Sequence, residues 1–163
     1  MKLYCFSLGN PGEQYVKTRH NAARVACSGV NWKALESKDI EYFRPDTFMN
    51  LSGEFVKKKL KNVNLDKAKI VIIYDDIDIE FGELKLSYGR SSGGHNGVQN
   101  VIDMMGTKEF FRIRVGIGAK KIPEMSLQDY VMSQLSEDEI FALKKLDDKV
   151  EKMLDQIKCD SRK

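Results

Sequence analysis

Ile70-Val71-Ile72-Ile73-Tyr74-Asp75-Asp76-Ile77-Asp78 is an unbroken apolar run that stops against a cluster of acids. A strand with one wet face alternates apolar and polar residues. A run without alternation predicts a strand buried on both faces. The strand is expected to end where the acids begin. Strands of this kind lie in sheets covered by helices on both sides, so the sequence around it should alternate strands with helices.

Upstream, Lys2 to Leu8 is apolar and β-prone and halts at Gly9-Asn10-Pro11-Gly12, a strand followed by a tight turn. Downstream, Leu84 to Tyr88 alternates and predicts a further strand. Phe111 to Ile117 alternates apolar residues with Arg112, Arg114 and Gly116, which predicts a strand with one polar face. Between the strands, Asn50 to Lys61 predicts a helix with Ser52 as a candidate N-cap. Val98, Val101, Ile102 and Met105 form a helical stripe that starts near Asn96. Ser136-Glu137-Asp138-Glu139 opens a last helix with a capping box, and its stripe runs through Leu143, Leu146, Val150, Met153 and Ile157. The expected fold is α/β: one domain over residues 1–163, a three-layer sandwich with a mixed, mostly parallel twisted sheet flanked by helices.

The 163 residues carry 27 Lys+Arg against 24 Asp+Glu, a formal charge of +3 that is too mild to announce a nucleic-acid binder by itself. Cys5, Cys27 and Cys159 are odd in number and lack metal or redox spacing, so they read as reduced thiols, with Cys5 inside a strand. No apolar stretch suits a signal peptide or approaches the roughly 20 residues of a membrane span. A soluble, cytoplasmic protein with no membrane partner is expected.

Two polar residues follow strands, where open α/β sheets place their sites: Asn10 after the first and Asp75 after the most buried one. The two histidines, His20 and His95, lie in polar, turn-like sequence. A hydrolase without a metal or a nucleophilic thiol needs a base near neutral pH, which imidazole supplies. A carboxylate on one ring nitrogen would set the tautomer, and Asp75 is the candidate partner for His20. Gly89-Arg90-Ser91-Ser92-Gly93-Gly94-His95-Asn96-Gly97 holds four glycines and leads into a helix N-terminus, which suits close approach to a ligand and developing negative charge. His95 stands where a Walker A loop needs lysine, and is expected to be structural or to support the site from behind. Gly89 to Gly93 also fits G-x-S-x-G, but a nucleophile elbow needs a helix directly after the serine, and further glycines intervene.

Several ordered blocks resemble the bacterial-type peptidyl-tRNA hydrolases: Gly9-Asn10-Pro11-Gly12 with Thr18-Arg19-His20-Asn21, then Pro45-x-Thr47 through Gly53, then Asp75 to Asp78, then Ser91 to Gly97, then Phe111 to Gly118. The resemblance implies cleavage by water of the ester joining a peptide to the tRNA 3′ end. His20 would be the general base and Asp75 its orienting partner. Asn96 would help hold the water or the oxyanion. Asn10 would position the terminal nucleotide, and Asn50 would bind the peptide backbone. Tyr15 and Phe48 would complete the substrate site, and Arg114 would meet the acceptor end. The implied partner is peptide-bearing tRNA, bound by a monomer without a metal or organic cofactor. A cation many members carry on the strand before the glycine-rich loop is Ser87 here, with Lys85 or Arg90 as stand-ins. The segment from Ala22 to Arg44 is shorter than in the family. It should hold a helix over about Ala22 to Ser28, stopped by Gly29, and one strand over Asp39 to Arg44. Lys57-Lys58-Lys59 reads as a solvated helix face. A rival reading is an RNA-binding protein of this fold that no longer cuts an ester.

Overall fold

The computed structural model describes residues 1–119 and 124–163. Five strands, β1 (Lys2–Ser7), β2 (Ile40–Phe43), β3 (Ala68–Glu80), β4 (Leu84–Tyr88) and β5 (Phe111–Gly118), form one sheet in the order β2-β1-β3-β5-β4. β1, β2, β3 and β5 run parallel, and β4 is antiparallel to β5. The helices are α1 (Ala22–Ala26), α2 (Trp32–Glu36), α3 (Ser52–Leu60), α4 (Asn96–Met105), α5 (Leu127–Met132), α6 (Glu137–Lys144) and α7 (Asp147–Cys159). The mixed, mostly parallel α/β sheet matches the expectation. Among the described residues no helix is long and apolar enough to cross a membrane.

The period of two in β1 and β3 separates two cores. Leu3, Cys5, Val71 and Ile73 pack on one face with Ala22, Ala26, Leu143, Val150 and Leu154 of α1, α6 and α7. Phe6, Ile72 and Tyr74 pack on the other with Val56, Leu60, Val98 and Val101 of α3 and α4. The 70–74 run shows no alternation because both of its faces are dry. Cys5 and Cys27 are buried free thiols, and burial pushes Cys27 up to about 12.

β3 does not end at the acids. It continues to Glu80, with Asp75 opposite Val115 and Asp76 opposite Gly116, before a register shift. The reason is that each acid finds a partner while the backbone keeps its ladder: Asp75 accepts from two imidazoles and Asp76 from Arg114. Gly116 permits the continuation, because a Cβ there would sit 2.0 Å from the Glu80 carbonyl oxygen.

β5 also departs from expectation: every residue in it is buried, including the predicted polar face. Arg112 is 0% exposed; its guanidinium donates to the carbonyls of Lys108, Phe110 and Arg90 and stacks on the Phe110 ring at 4.1 Å. Backbone dipoles and an aromatic face replace the water that the alternation suggested. Ser52 is not the cap of α3 but its first residue. A 3-10 turn, Met49–Leu51, precedes it, and the Ser52 hydroxyl donates back to the Met49 carbonyl at 2.7 Å.

The capping box of Ser136 and Glu139 is present, but the last predicted helix is two. α6 ends in Lys144-Lys145 and α7 restarts at Asp147-Asp148, so cations meet a C-terminus and acids an N-terminus, as the helix dipoles favour. In the 22–44 segment, α1 is five residues long and stops before Cys27. α2, capped by Asn31, was not foreseen; Trp32 stacks flat on Tyr42 of β2 at 3.9 Å. Lys57, Lys58 and Lys59 are exposed on α3, as the solvated-face reading requires.

Candidate active site

The strand order reverses direction at β1 and β3, because β1 is joined to β2 on one side and pairs with β3 on the other. The crevice beyond the carboxyl ends of such strands is where α/β proteins bind ligands. Here it receives the segment after β1, the middle of β3 and the N-terminus of α4.

His20 lies on the 3-10 turn Arg19–Asn21 that leads into α1. Neighbours hold this turn from two sides. The Arg19 guanidinium donates to Ser133 Oγ, the Gln134 carbonyl and Glu139, the last at 3.0 Å. On the other side, Asn21 Oδ1 accepts from the Asn10 amide at 2.8 Å while its Nδ2 donates to the Asn10 carbonyl at 3.0 Å. The imidazole between them meets Asp75: His20 Nδ1 is 2.8 Å from Asp75 Oδ2.

Asp75 has a second partner, which sequence did not reveal. His95 Nε2 is 2.8 Å from Asp75 Oδ1. The tautomers follow from the partners. An ionised carboxylate only accepts, so both ring nitrogens facing it carry protons. His95 Nδ1 accepts from the Val98 amide at 3.2 Å and caps α4, so its single ring proton is on Nε2. Neutral His20 carries its proton on Nδ1, which leaves the Nε2 lone pair without a hydrogen bond among the described residues.

Burial by itself would raise the Asp75 pKa. His95 and His20 outweigh it and hold Asp75 well below the usual carboxylate range. For His20, burial disfavours the imidazolium, yet the Asp75 charge and hydrogen bond raise its pKa above the ordinary histidine value. The pair therefore keeps an ionised acid beside a base whose pKa lies above the ordinary histidine value.

His20 faces a cavity of about 300 Å³ lined also by Asn10, Tyr15, Phe48, Asn50 and Asn96. Six of the eight residues expected at the site thus meet in one cavity, and Asp75 stands behind His20. Asn10 uses its Oδ1 to accept from the Met49 amide at 2.7 Å, and Nδ2 makes no hydrogen bond among the described residues. Tyr15 and the half-exposed Phe48 form an edge-to-face pair at 6.2 Å. Asn50 is exposed on its turn, and Asn96 is the exposed first residue of α4. The first amides of a helix lack intrahelical acceptors, so Asn96 sits where negative charge is best received. Gly97 allows this closeness: a Cβ there would lie 2.5 Å from Met49 Sδ.

A second cavity, of about 180 Å³, adjoins the first across His20 and Asn96 and is lined by Asp76, Asp78, Arg90 and His95 among others. Arg114 lines neither cavity. It is 8% exposed, with Nη1 3.0 Å from Asp76 Oδ2 and Nε 3.0 Å from Ser87 Oγ. Ser87, standing where a second cation was expected, is a partner of Arg114, and Arg90 is the arginine in the cleft. Ser91 is exposed on the glycine-rich loop and makes no hydrogen bond to either imidazole among the described residues, so the nucleophile-elbow reading lacks the serine–base contact it needs. His20, Asp75 and His95 are the one group among the described residues whose ligand atoms lie close enough together, within 4.8 Å, to hold a metal ion. Both nitrogens facing Asp75 are already protonated donors to it.

A family model described as Peptidyl-tRNA hydrolase matches residues 5–162. A peptidyl-tRNA hydrolase of Ureaplasma urealyticum is 40% identical over 160 aligned residues, covering 88% of this chain and 85% of that protein. One from Pseudothermotoga lettingae is 38% identical, covering 91% and 86%. A crystal structure of peptidyl-tRNA hydrolase from Acinetobacter baumannii superposes with a TM-score of 0.71 at 24% identity, over 99% of this chain and 96% of that one, an agreement of fold. With the matched model spanning nearly the whole sequence, the chain belongs to the peptidyl-tRNA hydrolases, a family of hydrolases that act on ester bonds.

Proposed function

We propose that this chain, acting as a cytoplasmic monomer without a metal, cleaves the ester between a peptide and the 3′-terminal ribose of tRNA, with His20 as general base. The observation that carries this reading is the His20 Nδ1–Asp75 Oδ2 hydrogen bond of 2.8 Å, which leaves Nε2 as the unengaged ring nitrogen of a residue lining a cavity shared with the side-chain amides of Asn10, Asn50, Asn96 and Gln128.

In the proposed step, Nε2 takes a proton from water as the water oxygen attacks the ester carbonyl. Asp75 stabilises the imidazolium that forms. Negative charge develops on the carbonyl oxygen beside Asn96 and the α4 N-terminus. The tetrahedral species collapses, the ester C–O bond breaks, and the imidazolium returns its proton to the leaving ribose oxygen. Asn10 and Asn50 donate and accept without titrating, which suits them to hold the nucleotide and the peptide backbone. Tyr15 and Phe48 offer an apolar wall. Arg90, exposed at the cleft, is the proposed phosphate contact, since the charge of Arg114 is matched by Asp76.

The test is to incubate the protein with N-acetylated aminoacyl-tRNA and, separately, with free aminoacyl-tRNA. Cleavage of the first with sparing of the second supports the reading. Binding of either RNA without cleavage supports the RNA-binding alternative.

A further inference from the structure

We propose that Arg24 is a positioning residue for substrate binding: its guanidinium clamps together the two loop segments that carry Asn10 and Asn50. This inference rests on the functional reading above.

Arg24 sits on α1 and is 8% exposed. Among the described residues it has no carboxylate partner. Its donors go to main-chain carbonyls instead: Nε to Ser7 at 3.4 Å, Nη1 to Asn10 at 3.3 Å, and Nη2 to Gly9 at 3.0 Å and to Pro45 at 2.5 Å. Ser7, Gly9 and Asn10 belong to the segment leaving β1. Pro45 belongs to the segment leaving β2, which runs on to Met49 and Asn50. The guanidinium is thus a bridge between neighbouring strand ends.

A planar fork with donors on three nitrogens can span such a gap, whereas an ammonium offers its donors from one point. A lone buried cation is costly unless hydrogen-bonded, so the four carbonyls both hold Arg24 and are held by it. Burial, and then the nearby Arg44, lower the Arg24 pKa to about 10, which leaves it charged at neutral pH. Gly9 is shaped to this bridge: a Cβ there would lie 2.6 Å from Arg24 Nε.

The bridge reaches the cavity through short links. Asn10 Oδ1 accepts from the Met49 amide, so the two segments are joined at the cavity wall by a side chain and beneath it by Arg24. Tyr15, Phe48 and Asn50 line the same wall. The Arg19–Asn21 turn touches Asn10 through Asn21, but Arg19 anchors it separately to Ser133, Gln134 and Glu139, and Asp75 is held by β3. Loosening the bridge should therefore weaken substrate binding more than the chemical step.

Arg24→Lys and Arg24→Ala, assayed on N-acetylated aminoacyl-tRNA, test this. The expected result is a KM raised about tenfold in both variants, with kcat and the pH at which activity is half-lost on acidification unchanged. A wild-type KM in Arg24→Lys would overturn the bridge, since a buried positive charge alone would then suffice. So would a lowered kcat at unchanged KM, which would place the effect on His20. Should Arg24→Ala fail to fold, Arg24→Lys, which keeps the charge and most of the volume, still decides. If the wild-type protein itself spares N-acetylated aminoacyl-tRNA, the functional reading fails, and not the bridge alone.

Discussion

Asp75→Asn exchanges one carboxylate oxygen for an amide nitrogen and separates the roles of the three groups around it. In the proposed mechanism the neutral imidazole is the active form, so activity should fall as pH drops through the His20 pKa, which Asp75 holds above the ordinary value. Without the carboxylate, burial dominates and lowers that pKa. The acid limb of a kcat/KM profile should therefore move to lower pH, while the plateau drops by roughly 10²- to 10⁴-fold. An unmoved limb would show that Asp75 does not govern the imidazole. His95→Ala removes one of the two donors to Asp75 and the cap of α4. A hydrogen bond to a charged group contributes about 1.5–3 kcal/mol, so turnover should fall by about tenfold or more. The lost cap adds about 0.5–2 kcal/mol of destabilisation, readable as a lower Tm. Unchanged turnover with a lowered Tm would reduce His95 to a cap. His20 and Asp75 were legible in the sequence because residue type and strand-end position both pointed to them. The contact of His95 with Asp75 was not, because it depends on how α4 is aimed. Its one signal was the imidazole three residues before the helical stripe that begins at Val98. Asn21, quoted within a motif but given no role, joins the His20 turn to Asn10 through contacts that no local pattern encodes.

At the scale of elements, the site depends on α4 lying close against the Met49–Leu51 turn. Gly97→Ala would place a Cβ 2.5 Å from Met49 Sδ and 3.0 Å from the Met49 carbonyl oxygen. The sulfur can swing away but the backbone cannot, so Asn96 and Asn50 should be pushed apart. KM for N-acetylated aminoacyl-tRNA should rise and Tm should fall, with overpacking costs of about 1–3 kcal/mol. A variant with wild-type KM would show that this closeness does not set the cavity. The strands were the elements read best: Leu84 to Tyr88 has the bounds expected, and β1 and β2 differ by a residue or so. Two misreadings share one cause. Charged residues were taken as the end of β3 and as a wet face of β5, yet Asp75, Asp76, Arg112 and Arg114 all find partners inside the fold. Pattern alone does not distinguish a solvated charge from a satisfied buried one.

Across the whole molecule, three buried cations pin backbone segments through carbonyl oxygens. Arg24 holds the cavity wall, Arg112 holds the Arg90 carbonyl of the glycine-rich loop, and Lys69 of β3 caps the end of α7 through the carbonyls of Ile157, Lys158 and Asp160. Lys69 is 2% exposed, so Lys69→Met should keep the packing volume but leave α7 without its anchor. The expected loss is about 1–3 kcal/mol in denaturant unfolding, with kcat preserved because Lys69 lies at the amino end of β3, well before Asp75, and lines neither cavity. A wild-type midpoint would deny the anchor. The α/β class and sheet character were legible from strand–helix alternation. The split of α6 from α7 was not, because their apolar stripe continues across the break. The claim that joins all three scales is that the His20 Nε2 lone pair, oriented by Asp75, activates the attacking water. Its most direct test is the single-turnover rate of N-acetylated aminoacyl-tRNA cleavage by wild type and by His20→Ala, both verified as folded. The rate should fall by at least about 10²- to 10⁴-fold, and a rate within a few-fold of wild type would contradict it.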